Sequence, residues 1–146
     1  MTTNGITIHR VTPDNTSVLT RVDDDVFDNP VQPALLNDFL ANPSNLLVVA
    51  VADDTVVGMA TGIAYVHPDK PLQLFVNEVG VSPRYQRQGI GKDLVDSLLE
   101  HGKQLGCVEA WVATEVGNTP ARALYHKLGG EEDDEQAVVY TWSLAD

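Results

Sequence analysis

The chain has 146 residues, room for one domain with a sizeable core, and its composition, 43% hydrophobic and 21% charged, is that of an ordinary globular protein. Its formal net charge of −12, from 9 basic and 21 acidic residues, argues against nucleic acid, whose phosphates need clustered Lys and Arg, and is compatible with a cationic ligand or simply with a solvated surface. No apolar run approaches the ~20 residues of a membrane span, MTTNGITIHR lacks the pattern of a secretory signal, and the lone Cys107 excludes an internal disulfide. A single domain over residues 1–146, cytoplasmic and without a membrane partner, is therefore expected.

Ile6 to Val11 alternates apolar and polar residues before the turn Pro13-Asp14-Asn15, which predicts a first strand. A helix is expected from about Thr16 to Val26, because Val18, Leu19, Val22 and Val26 are spaced to share a face. Asp23-Asp24-Asp25 near its C-terminal end opposes the helix dipole and reads either as a solvated face or as a set of ligand-binding carboxylates. Phe27-Asp28-Asn29-Pro30 breaks the segment, and Pro33 starts a short helix burying Leu35, Leu36, Phe39 and Leu40 before Asn42-Pro43. Leu46 to Ala52 and Val56 to Val66, separated by Asp53-Asp54-Thr55, predict a central hairpin in which Gly58 and Gly62 mark a bulge or a close backbone approach.

Leu74 to Val81 reads as a buried strand interrupted by Asn77, Glu78 and Gly80, and Ser82-Pro83 ends it. Gln86-Arg87-Gln88-Gly89-Ile90-Gly91 then opens a helix whose Ile90, Leu94, Val95, Leu98 and Leu99 recur at helical spacing as far as Gly106. Backbone N–H groups at such a glycine turn suit a phosphate, and Arg84, Arg87 and Lys92 concentrate positive charge around it; the alternative is that Gly89 only permits tight strand-to-helix packing. Cys107 to Thr114 alternates into a further strand, making strand, turn, helix and strand one right-handed crossover unit. Asn118 or Thr119 caps a helix carrying Ala121, Leu124, Tyr125 and Leu128 on one face, Gly129-Gly130 stops it, and the alternation Val138, Tyr140, Trp142, Leu144 predicts a last strand over Ala137 to Leu144.

The glycine turn is neither of two common phosphate motifs. It has no Gly-Lys-Ser/Thr tripeptide and lacks the three-glycine dinucleotide fingerprint. It instead resembles the GCN5-related N-acetyltransferase (GNAT) family, whose glycine motif matches Gln86, Gly89 and Gly91 and whose second motif matches Asn118, Ala121, Tyr125 and Gly129. That resemblance implies an α/β (α+β) fold, a mixed central sheet of six to seven strands flanked by about four helices, with acetyl-CoA between the splayed fourth and fifth strands. Val56 to Val66, Asn77 to Val81 and Ala113 to Gly129 are most similar to aminoglycoside 3-N-acetyltransferases of type I, where an acidic strand residue, usually Asp, stands at the position of Glu78.

By this resemblance Val79, Gly80 and Val81 hold the pantetheine arm; Gln86, Arg87, Gln88, Gly89, Ile90, Gly91 and Lys92 hold the pyrophosphate; and Asn118 and Ala121 complete the cofactor contacts. Phe27, Asp28, Glu78 and Glu115 stand at the acceptor. An ammonium group is not a nucleophile, so a base must deprotonate the acceptor amine; Glu78, on an apolar strand where burial would raise its pKa, is the expected base, the alternative being a structural carboxylate satisfied by backbone N–H groups. Tyr125 resembles the family's acid for the departing thiolate. His9, His67, His101 and His126 lack metal-ligand spacing, so no metal is expected. The implied enzyme acetylates an amine of a cationic small molecule, most similar to an aminoglycoside; a protein N-terminus, a polyamine, a metabolite amine, or non-catalytic acyl-CoA binding are the alternatives. Family members are frequently dimers, and Tyr140 and Trp142 are candidates for such an interface.

Overall fold

The computed structural model describes residues 2, 3 and 5–146, the first two by their backbone alone. It divides into two compact units, Met1–Ala113 and Thr114–Asp146. In the first unit β1 (Thr2–Thr3), β2 (Ile6–Arg10), β3 (Asn45–Ala52), β4 (Thr55–Tyr65), β5 (Gln73–Val81) and β6 (Glu109–Val112) form one sheet in that order. All neighbours are antiparallel except β5 and β6, which run parallel across α2 (Ile90–Gln104), so the expected mixed sheet and crossover unit are present. A second helix, α1 (Pro33–Ala41), begins at its proline as predicted.

Two layers of apolar side chains sandwich the sheet. On one face Ile90, Leu94 and Leu98 of α2 pack on Leu46, Val48, Ala60 and Leu74. Gly58 and Gly62 make that approach possible: a Cβ at Gly58 would lie 3.0 Å from Leu94 Cδ1, and one at Gly62 would lie 3.2 Å from Leu98 Cδ2. The other face buries Val11, Val26, Leu40, Leu47, Val49 and Met59. Leu94 is fully buried, so Leu94→Ala is expected to cost roughly 2–5 kcal/mol, measured as a lowered midpoint in urea at constant slope.

Three expectations are corrected. Thr16 to Val26 is not a helix: a single 3-10 turn covers Thr16–Thr20, and Val22 then forms a parallel bridge with Val56. Thr16, Ser17, Val18 and Thr20 are poor helix formers, and the aspartates that follow oppose the dipole, so the chain satisfies its amides on β4 instead. Leu35 is 61% exposed rather than part of the buried face of α1. Residues 137–144 join no strand, and Val138, Tyr140, Trp142 and Leu144 are 74–94% exposed. Alternation marks which side chains a strand would bury but supplies no partner edge for its backbone. Among the described residues the sheet thus has five strands of substantial length plus the two-residue β1, and three α-helices stand where about four were expected.

The second unit holds α3 (Thr119–Lys127), capped by the Asn118 side chain, which accepts from the Ala121 N–H at 3.2 Å, and stopped by Gly129 at φ 88°. Arg122 grips Glu132 through Nε at 2.7 Å and Nη2 at 3.0 Å. Among the described residues no helix is long and apolar enough to cross a membrane.

Candidate active site

The centre of the first unit's chemistry is the C-terminal half of β5. Its register with β4 shifts between Thr61 and Gly62, where Thr61 pairs with Glu78 but Gly62 pairs with Val76, so Asn77 is an extra, bulged residue. Pairing with β6 covers only Gln73 to Val76. Beyond the bulge, from Asn77 to Val81, the edge of β5 opposite β4 pairs with no strand among the described residues. Successive residues of a strand turn their amides to opposite sides, and Ser82 donates to Val57 O on β4 at 2.8 Å. The amides of Val79 and Val81 are therefore directed to the open side. One acceptor there is already engaged: the Val81 carbonyl accepts from Gln86 Nε2 at 3.1 Å.

A 3-10 turn, Pro83–Tyr85, leads from β5 to the glycine turn. Gly89 stands at φ 83°, a left-handed conformation favouring glycine, and Arg87 shares the region at φ 65°. The first bond into α2 is Asp93 N–H to Gly89 O at 3.0 Å, which leaves the amides of Ile90, Gly91 and Lys92 ahead of the helical ladder, and no side chain caps them. Such a helix start suits an anion. Arg87 and Lys92 enter no ion pair among the described residues. Arg84 does not belong to the cradle: it is paired with Asp23 at 2.9 Å, correcting the expectation that all three cations gather on the anion.

Glu78 and the segment carrying Phe27 and Asp28, expected at the acceptor, lie on the sheet face opposite α2. Glu78 and Thr61 are paired across the ladder and share that face, as do Gly80 and Met59. Residues 21–28 run over it: Val26 is buried, its carbonyl oxygen occupies the space that a Cβ on Gly80 would need, and Asp24, Asp25 and Asp28 are exposed, with Phe27 half-buried. Glu78 is exposed, which corrects the buried setting expected for it: the bulge places it where β6 has already left the sheet. Sequence reasoning missed Thr61, which is 8% exposed and whose Oγ1 has no hydrogen-bond partner among the described residues. Such a buried orphan hydroxyl costs stability unless water or a ligand meets it. Its only sequence signal is a polar residue inside an apolar strand.

Sequence reasoning offered Asp23 only as one of three solvated or ligand-binding aspartates and missed its pairing with Ser82 and Arg84. Asp23 Oδ2 accepts from Ser82 Oγ at 2.6 Å, and both carboxylate oxygens accept from Arg84. These bonds, led by that from Arg84, hold the Asp23 carboxyl below the usual carboxylate range. A lowered folded value stabilises the fold above the free-aspartate range and ceases to do so as pH falls through it. The melting difference between wild type and Asp23→Asn is therefore expected to shrink in acid, which a series of melts below neutral pH checks.

In the second unit Tyr125 is half-buried on α3, and burial pushes its phenol up, so it stays a proton donor at neutral pH. Asn118 and Ala121 share the cap described above, and Glu115 is exposed, its carbonyl accepting from Asn118 N–H at 3.0 Å. Burial likewise pushes the Cys107 thiol up, in keeping with an inert thiol.

An opened strand edge that leads directly into a glycine cradle suits an extended, amide-bearing arm ending in a diphosphate, the shape of an acyl-coenzyme A. The Acetyltransferase (GNAT) family profile matches residues 14–130, and the chain belongs to that family. It is 37% identical over 121 residues to N-alpha-acetyltransferase RimI of Mycobacterium tuberculosis, covering 83% of this chain and 74% of that protein. It is 31% identical to the uncharacterized protein ML0378 of Mycobacterium leprae, covering 97% of this chain but 39% of that one. Its fold is shared with an aminoglycoside acetyltransferase from an uncultured soil metagenomic sample, solved with trehalose, at TM-score 0.79 and 21% identity over 97% of this chain and 98% of that one. AAC(6')-Iy in complex with a CoA bisubstrate analogue matches at TM-score 0.73 and 22% identity, covering 94% and 98%. The chain is an acetyl-CoA-dependent N-acetyltransferase.

Proposed function

We propose that residues 1–146 act as one domain that acetylates a primary amine of a polycationic small molecule, an aminoglycoside at its 3-N position being the acceptor by resemblance. The observation that carries this reading is the open β5 edge with Glu78 and the acidic segment on one sheet face beside it. Acetyl-CoA supplies the acetyl thioester when bound. Val79, Gly80 and Val81 would take its pantetheine as an added strand and Gln86, Arg87, Gln88, Gly89, Ile90, Gly91 and Lys92 its pyrophosphate, the Gln86 side chain also donating to the Val81 carbonyl at the strand end. Asn118 and Ala121 are assigned to the same ligand by motif. Asp24, Asp25 and Asp28, with Phe27, receive the cationic acceptor, Glu115 is assigned to it by resemblance alone, and the Thr61 hydroxyl offers a hydrogen bond to it or to a water.

Glu78 takes the amine proton, directly or through that water, so that a neutral nitrogen attacks. Tyr125, protonated at neutral pH, returns a proton to the thiolate. No metal enters this scheme. A homodimer contact is assigned to the exposed Tyr140 and Trp142; sedimentation equilibrium at micromolar concentration checks it, a monomer contradicting the assignment.

A second reading, acetylation of a peptide α-amine, is favoured by the 37% identity to N-alpha-acetyltransferase RimI. Steady-state CoA release with a panel of aminoglycosides, polyamines and alanine- or serine-initiated peptides separates the two. Turnover confined to peptides overturns the small-molecule acceptor; turnover on none of the panel, with acetyl-CoA bound, favours a non-catalytic acyl-CoA module.

A further inference from the structure

Asp23 is set apart from the carboxylates around it. Asp24, Asp25 and Asp28 are exposed, whereas the Asp23 side chain is 18% exposed and holds three donors: Ser82 Oγ at 2.6 Å, Arg84 Nε at 2.9 Å and Arg84 Nη2 at 3.2 Å. Ser82 is 2% exposed and is the residue where β5 ends and the connection to the glycine turn begins. The backbone repeats the attachment: Val56 N–H donates to Arg21 O and Asp23 N–H donates to Val56 O, both at 2.8 Å. Three residues further on, the Val26 carbonyl rests on Gly80. The acidic segment is thus fastened at β4, at the end of β5 and on β5 itself, all within the first unit.

We propose that Asp23 is a positioning residue for the acceptor amine, resting on the reading above that the acidic segment receives it. The Asp23–Ser82–Arg84 lock fixes the path of residues 24–28 relative to Glu78, two positions from Gly80 on the same face. It does so with a carboxylate that its own partners neutralise, leaving the exposed aspartates to meet the acceptor. It also holds the Arg84 guanidinium over the Tyr85 ring, 5.4 Å from its centroid, where it is paired and does not compete with the acceptor's ammonium groups for carboxylates. An exposed ion pair alone would do little; the strength here comes from the two-pronged guanidinium contact and a buried hydroxyl that would lose its partner.

The test compares wild type with Asp23→Asn and, should that variant fold poorly, with Arg84→Ala, whose side chain is mostly exposed. Acceptor KM and kcat, acetyl-CoA Kd by calorimetry, and amide hydrogen exchange over residues 24–28 are measured on each. Expected for Asp23→Asn are an acceptor KM raised about tenfold or more, as misplacement of a binding segment allows, an acetyl-CoA Kd changed far less than the acceptor KM, because the substitution touches neither the β5 edge nor the glycine turn itself, and faster exchange at residues 24–28. Ser82→Ala, which keeps the ion pair, should fall between. Unchanged exchange overturns the lock, and faster exchange with unchanged acceptor KM overturns its role in positioning. Exchange is read without turnover, so a wild type that acetylates no amine would sink the functional reading while the lock is still decided.

Discussion

Glu78→Gln is expected to lower kcat by roughly 10²–10⁴-fold, the usual contribution of a positioned base, with acetyl-CoA affinity unchanged. The substitution keeps the size and shape of the side chain and removes its charge and its capacity to take a proton. Glu78 sits just past the bulge at Asn77, on the face that Gly80 and the acidic segment share, and opposite Thr61, whose hydroxyl has no hydrogen-bond partner among the described residues. A base placed there reaches an acceptor lying against the open edge without crossing the strand. With Glu78 as the proposed base, the acid limb of the pH profile of kcat/KM should also flatten in the variant. Near-normal turnover with the limb intact would remove Glu78 as the base.

Gly80→Ala should be nearly as damaging, for a steric reason. A methyl at this position would lie inside contact distance of the Val26 carbonyl oxygen, which is backbone and cannot rotate aside as a side-chain tip would. Either β5 or residues 21–28 must move, and overpacking of this kind costs roughly 1–3 kcal/mol. The displaced segment carries Asp24, Asp25, Phe27 and Asp28, so acceptor KM should rise together with the loss of stability, read by steady-state kinetics and urea unfolding on the same preparation. By contrast, a Cβ at Gly89 meets no atom within 4 Å, and substitution there strains only a backbone at φ 83°. If Gly80→Ala retained both wild-type stability and acceptor KM, the packing of Val26 on β5 would not matter to the site.

Much of this arrangement was legible from local pattern. The central hairpin, the strand running into the glycine turn, α2 and α3 all follow from periodicity, capping and turn residues, which act over a few positions. Gly58 and Gly62 announced a close approach, and α2 makes it. What escaped depends on pairing between distant residues. Asp23 lies 59 residues from Ser82 in the chain, so nothing near it distinguishes it from Asp24 and Asp25. The bulge at Asn77 is a mismatch in register between two strands, visible only once they are paired. Glu78 read as buried because its strand is apolar; its exposure follows from where β6 stops pairing, which no local pattern reports. The alternation of Val138, Tyr140, Trp142 and Leu144 was real, but the segment joins no strand.

The most direct test is a crystal structure of the enzyme with CoA and a cationic acceptor amine. Density for the pantetheine hydrogen-bonded along the edge from Asn77 to Val81, the pyrophosphate at Gly89 to Lys92 and the amine nitrogen beside Glu78 is the predicted result. Pantetheine bound away from that edge, or an amine held on the α2 face of the sheet, would contradict the account.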